Sequence, residues 1–236
     1  MTLDAAGLAR LIDHTLLAPE ATGRQIDALC DEALAFGFYG VCVLPRFVAR
    51  AAARLASGEA ANPVGHRPVV VSVAGFPLGG STTAIKADEA DRAMDEGARE
   101  IDMVIPVGAL VEGDRGVVRR DIESLARVVH RAAPPGVLKV ILETAALSVE
   151  QIVLGCRLCA EAEADFVKTS TGFHPRGGAT VEAVRLLHRH ASPIRVKASG
   201  GIRSAEQALA LIEAGAARLG TSTGPAIVKS LCAADG

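Results

Sequence analysis

The segments "DFVKTS" (residues 165–170) and "IRVKAS" (194–199) decide the fold. Each is a short apolar run that closes on a lysine and a small polar residue and passes at once into a glycine-bearing loop. Two such runs separated by a helical stretch read as parallel strands, because parallel neighbours need a crossover. The same alternation extends outward in both directions. The further strands are "LIDHTLL" (11–17), "GVCVLP" (40–45), "VVVSVAGF" (69–76), "EIDMVIPV" (100–107), "LKVILET" (138–144) and "ARLGTS" (217–222). Amphipathic, alanine-rich stretches lie between them, such as "STTAIKADEADRAMDEGA" (81–98) and "SAEQALALIEAGA" (204–216). Both open on a Ser or Thr suited to capping and end in Gly-Ala, suited to a left-handed stop. Eight β-α units in 236 residues fit a closed (β/α)8 TIM barrel, whose usual length is about 250 residues. No G-x-G-x-x-G opens a helix, which weighs against a dinucleotide-binding sheet. Residues 1–10 read as a short helix ahead of the first strand. No linker or charge block divides the chain, so residues 1–236 are expected to form one barrel domain.

Composition narrows the function. Hydrophobic residues make up 50% of the chain and aromatics only 3%, so the core must be aliphatic. With a formal net charge of -2, no basic stretch and few rings to stack on bases, nucleic acid is not an expected partner. No basic-then-apolar leader and no apolar run of roughly 18 residues is present, so neither export nor a membrane span is expected. Five cysteines, an odd number, suggest reduced thiols and a cytoplasmic location. Cys156 and Cys159 form a C-x-x-C within a helical stretch, without a second ligand pair, and no metal or cofactor site is assigned.

In a barrel of this kind the chemistry sits where the strands end. Polar residues there are Asp13, Cys42, Asp102, Glu143, Lys168, Ser170, Lys197 and Ser199. The chain has only five lysines against twenty arginines, yet Lys168 and Lys197 occupy equivalent points of successive strands. A strand-end lysine is often one whose stem lies on apolar surface while its head reaches water. If the two instead face the barrel axis, each ammonium depresses the pKa of the other. A neutral amine can then attack a carbonyl and form a Schiff base. Arginine does not lose its proton and cannot serve. Asp102, among Ile, Met and Val, needs a cationic partner such as Lys139 or Lys197, or acts in proton relay.

The loops "ASGGIRSAE" and "LGTSTGPA" follow the last two strands. Glycine lets backbone N–H groups approach an anion, and barrels frequently bind phosphate with these loops. Gly200, Gly201, Gly220, Thr221 and Ser222 are the expected phosphate cradle, with Thr171 and Gly172 beside the nucleophile. The residues alone therefore lead to a Schiff-base enzyme acting on a phosphorylated carbonyl compound.

The motifs "IDHTLL", "EIDMVI", "FVKTSTGF", "VKASGGIR" and "RLGTS" resemble the successive signatures of the deoxyribose-phosphate aldolase family over residues 11–228. The resemblance implies a metal-independent class I aldolase. Such an enzyme reversibly cleaves 2-deoxy-D-ribose 5-phosphate to D-glyceraldehyde 3-phosphate and acetaldehyde in deoxyribonucleoside catabolism. It also implies Lys168 as the Schiff-base lysine, Lys197 as the neighbour that lowers its pKa, Asp102 as a proton donor or acceptor, and a homodimer or higher homo-oligomer. Three departures stand out: "GFHPRGGAT" with His174 and Arg176 after the nucleophile, Ala18 where lysine is common, and "SLCAADG" without a terminal tyrosine. Tyr39, the only tyrosine, precedes the second strand and cannot replace that tail. Two alternatives remain. One is another Schiff-base or phosphate-binding barrel enzyme, transaldolase-like; the other is a non-catalytic sugar-phosphate-binding barrel.

Overall fold

The computed structural model describes residues 3–57 and 66–234, with side chains to Leu231. The expected absence of a terminal tyrosine, and the side chain of Cys232, fall outside the described residues. Eight parallel strands close on themselves in chain order: β1 Ile12–Leu16, β2 Gly40–Val43, β3 Val69–Ala74, β4 Glu100–Val104, β5 Val137–Ile141, β6 Phe166–Lys168, β7 Arg195–Ser199 and β8 Arg218–Thr221. The helices are α1 Ala5–Ala9, α2 Gly23–Phe36, α3 Val48–Ser57, α4 Thr83–Asp95, α5 Val107–Glu112, α6 Arg115–His130, α7 Val149–Glu161, α8 Val181–His190, α9 Ala205–Glu213 and α10 Gly224–Ala234. This is a (β/α)8 barrel, and the short helix before β1 is α1, capped by the Asp4 carboxylate.

All eight expected strands are present, each shorter than its apolar run. β4 ends at Val104 because Pro106 has no N–H to continue the ladder. β3 ends at Ala74 because the N–H of Gly75 turns to the Glu89 carboxylate, 2.7 Å away. Of the two expected Ser/Thr caps, Ser204 accepts a bond from the Gln207 N–H, whereas Thr82 makes no side-chain cap. Gly97 and Gly215 follow α4 and α9 with φ of 110° and 112°, as a left-handed stop requires.

Aliphatic side chains from both layers fill the space between barrel and helices, as in Ile101, Leu125 and Val140. Cys156 and Cys159 belong to this layer on α7. Burial pushes the Cys156 thiol up to about 12, and Cys159 also upward, so both are held as inert thiols. The same layer also holds an ion pair. Lys86 of α4 donates to Asp121 of α6 and to the Val104 carbonyl at 2.7 and 2.8 Å, both side chains being fully enclosed.

A buried pair tolerates the loss of both partners better than the loss of one. Lys86→Met is expected to lower stability by about 3–5 kcal/mol, and Lys86→Met combined with Asp121→Leu to recover most of it. Denaturant unfolding of the two variants measures this. A double variant no better than the single would assign the loss to packing and not to the stranded carboxylate.

Candidate active site

Strand alternation sends the expected residues to one place inside the barrel. Lys168 and Lys197 are register partners on β6 and β7, as Asp102 and Lys139 are on β4 and β5. All four are essentially without solvent exposure. Asp102 accepts from three ammonium groups: Oδ1 from Lys139 at 2.7 Å, and Oδ2 from Lys168 at 2.7 Å and Lys197 at 2.8 Å. Lys197 donates in addition to Asp13 of β1. The two lysines read from the sequence as neighbours thus meet on one carboxylate oxygen.

These contacts divide the charges unequally. For Asp102, burial alone would raise the pKa, but Lys139, Lys168 and Lys197 together hold the carboxyl well below its usual range. Asp13, likewise buried, is held down to about 2 by Lys197, Arg218 and Lys139. Burial opposes the charged form of Lys197, yet two carboxylates outweigh it and its pKa rises. Lys168 has only a share in Asp102. Burial, followed by repulsion from Lys197, outweighs that share, and its pKa falls. The sequence led to the right direction for Lys168 but named Lys197 as the cause; desolvation comes first.

Lys168 opens onto a cleft of about 370 Å³ at the C-terminal ends of the strands. Thr171 and Gly172, Gly200 and Gly201, and Gly220 through Ser222 line it, which are the loops read as a phosphate cradle. Asp102 and Lys197 are not in its wall and lie beneath it. The Thr221 hydroxyl, at the end of β8, donates to the Ile202 carbonyl in the loop after β7 at 2.8 Å, whereas Ser222 is exposed. The loops after β6 and β7 touch through bare backbone. A Cβ on Gly178 would stand 2.3 Å from the Gly200 carbonyl oxygen, so only glycine fits there. Ala18 and Arg203 also face the cleft, and so does Phe173, whose ring meets Phe76 edge-on at 5.3 Å. His174 and Arg176 do not line it. Among the described residues, no group of three or more His, Cys, Asp or Glu side chains is placed to hold a metal ion.

The chain is similar to known proteins over most of its length. Residues 8–230 match the model of the DeoC/LacD family aldolases. The chain belongs to that family. The deoxyribose-phosphate aldolase of Thermococcus gammatolerans is 51% identical over 223 residues, which are 94% of this chain and 95% of that protein. The namesake from Enterococcus faecalis is 49% identical over 222 residues, 94% of this chain and 96% of its own. Among solved structures, the deoxyribose phosphate aldolase of Aeropyrum pernix, described as having a unique tetrameric structure, superposes with a TM-score of 0.87 at 30% identity. That superposition covers 98% of this chain and 93% of the other.

Several members of the site were not singled out from sequence. Arg203, in the "ASGGIRSAE" loop, has no assignment from sequence and lines the cleft. Glu143 was noted only as polar at a strand end. It adopts a left-handed φ of 61° and accepts bonds from the Thr171 N–H and hydroxyl, while its Oε1 has no partner among the described residues. Strain of this sort in a non-glycine residue gathers at working sites, but sequence carries no signal of it. Asp13 was visible in "LIDHTLL", though not its partner across the barrel.

The depressed carboxyls make acid stability a test. The unfolded chain takes up protons before the folded one does, so stability is complete above pH ~4 and lost as pH falls through the folded pKa. For Asp13, between its ordinary value and about 2, this loss is on the order of 2 kcal/mol. Asp13→Asn, although less stable at neutral pH, is expected to lose less than the parent between pH 4 and 2 in urea titrations. Equal losses would place the acid sensitivity elsewhere.

Proposed function

We propose that the chain is a class I deoxyribose-phosphate aldolase in which Lys168 forms the Schiff base. The single observation that carries this reading is Lys168 itself. It is the lysine in the cleft wall, and its pKa is lowered while that of its neighbour Lys197 is raised. A neutral amine there attacks the aldehyde carbon of open-chain 2-deoxyribose 5-phosphate and, with loss of water, becomes a protonated imine. The positive nitrogen then draws the electron pair of the carbon–carbon bond between C2 and C3, as the C3 hydroxyl gives up its proton and becomes the aldehyde of the departing fragment. Glyceraldehyde 3-phosphate leaves, and the remaining two-carbon enamine is protonated at carbon and hydrolysed to acetaldehyde, freeing the amine.

The remaining roles follow from charge. Lys197, kept cationic by Asp102 and Asp13, supplies the repulsion that adds to burial at Lys168. Asp102, kept ionised, serves as proton acceptor and bridge between the two lysines. The substrate phosphate is held at the open end of the cleft by the backbone of Gly172, Gly200, Gly201 and Gly220, by Thr171, Thr221 and Ser222, and by the cationic Arg203. No metal or organic cofactor enters this scheme. One domain carries it, and the tetrameric Aeropyrum relative supports a homo-oligomer. The described cysteines, all free and buried, suit a reducing cytoplasm.

Borohydride reduction in the presence of deoxyribose 5-phosphate is expected to add mass to Lys168 alone, as read by peptide mapping. Mass on Lys197 or Lys139 would reverse the assignment. Ser222→Asp is expected to raise KM for the phosphorylated sugar more than tenfold and to change turnover of unphosphorylated deoxyribose little. Equal effects on both substrates would mean that this loop does not meet the phosphate.

A further inference from the structure

The contacts around Asp102 continue to the far end of the barrel and return. Lys139, besides bonding Asp102, bonds Glu100 Oε2 at 2.7 Å. Arg218 Nη1 donates to the same Glu100 oxygen at 3.2 Å and to Asp13 Oδ1 at 2.9 Å. Asp13 bonds Lys197, and Lys197 bonds Asp102. Asp102, Lys139, Glu100, Arg218, Asp13 and Lys197 therefore form a closed ring of alternating acids and bases. It draws on β1, β4, β5, β7 and β8. Every member is at most 4% exposed. Among the described residues, Lys168 is the only further cation bonded to the ring, attached at Asp102.

Three carboxylates and three cations sum to zero, so the ring has no spare negative charge for a Lys168 ammonium. We propose that Glu100 and Arg218, which are not in the wall of the substrate cleft, are positioning residues that set the proton affinity of Lys168 through this ring. Both act through charge and not through contact with substrate. Arg218 holds Asp13, which keeps Lys197 cationic; Glu100 holds Lys139 and compensates Arg218.

The surroundings leave the charge sum intact. From β2, Cys42 faces the lysines, but burial pushes its thiol up to about 11 and it stays neutral. Tyr39 lies flat on Arg218, its ring centre 3.2 Å from the guanidinium carbon; burial raises its pKa and it too is neutral. From β6, Phe166 presents its ring to the same guanidinium. Burial weighs against the Arg218 cation, but Asp13 and Glu100 more than offset it. Glu143 is bound to Thr171 of the cleft wall, and Arg203 is itself in that wall.

The inference rests on Lys168 being the Schiff-base lysine, and one experiment separates the two claims. The pH dependence of cyanoborohydride capture of acetaldehyde is measured, with the adduct located by peptide mapping, for the parent, Glu100→Gln and Arg218→Gln. Removing the Arg218 charge leaves the interior better able to hold a protonated Lys168, so the capture midpoint moves to higher pH. Removing the Glu100 charge does the reverse, while Lys139 stays charged against Asp102. With ~9 Å assumed between charges and an effective dielectric of ~20, each shift is about one pH unit. A purely structural role would move both variants the same way or neither. Shifts of the same sign, or none, overturn the proposal; an adduct away from Lys168 overturns the Schiff-base assignment as well. Should a single variant fail to fold, Arg218→Lys and the double variant Glu100→Gln/Arg218→Met keep the charge sum. Both are expected to titrate within half a unit of the parent, and a larger shift in either overturns the proposal.

Discussion

One carboxylate shared by three lysines is the constraint on which the rest of the structure depends. Charges that have left water need partners, and a partner that is missing costs several kcal/mol. Asp102 meets this need for Lys139 and Lys197 with the help of Glu100 and Asp13, and meets it only in part for Lys168. Such a network is weak as a device for stability, since well-packed apolar residues serve a barrel interior at least as well. Its presence in a chain otherwise rich in Val, Ile, Leu and Ala is better explained by what it does to one amine.

The closed barrel is what makes the arrangement possible. Parallel strands with period-two alternation send every second side chain to the axis, and closure brings β1 beside β8. Asp13 and Lys197, distant in sequence, become neighbours for that reason alone. The interior then divides along its length. Tyr39 and Phe166 cover Arg218 at one end. At the other, glycine backbone forms an open cleft with Lys168 in its wall. The charged ring lies in the dry section between, where electrostatic effects are strongest.

The legible part of this was the part governed by local pattern. Strand number, the inward pairing of Lys168 with Lys197 and the glycine loops at the mouth follow from alternation and from the order of elements. Contacts across the barrel are set by how strands tilt and stagger, which no single segment encodes. The closure of the ring by Glu100 and Arg218 was therefore invisible, and Asp13 appeared as an isolated strand residue. The cause of the Lys168 shift was misjudged for a related reason. Two lysines in register suggest repulsion, whereas the depth of their burial is a property of the whole barrel.

Lysine usage sharpens the point. Of the five lysines, Lys86, Lys139, Lys168 and Lys197 are all buried, while the positive charge of the surface is carried mostly by arginine. Burial of a lysine is therefore not by itself the mark of a reactive amine in this chain. Lys86 is as enclosed as Lys168 and makes an equally short bond to a carboxylate. The difference is in the count of partners. Among the described residues, Asp121 is the sole carboxylate bonded to Lys86 and Lys86 the sole cation bonded to Asp121, whereas the carboxylate of Lys168 already belongs to a balanced ring. A compact, deprotonable ammonium is useful only where its charge is the one left over. Of the four buried lysines, only Lys168 is in that position.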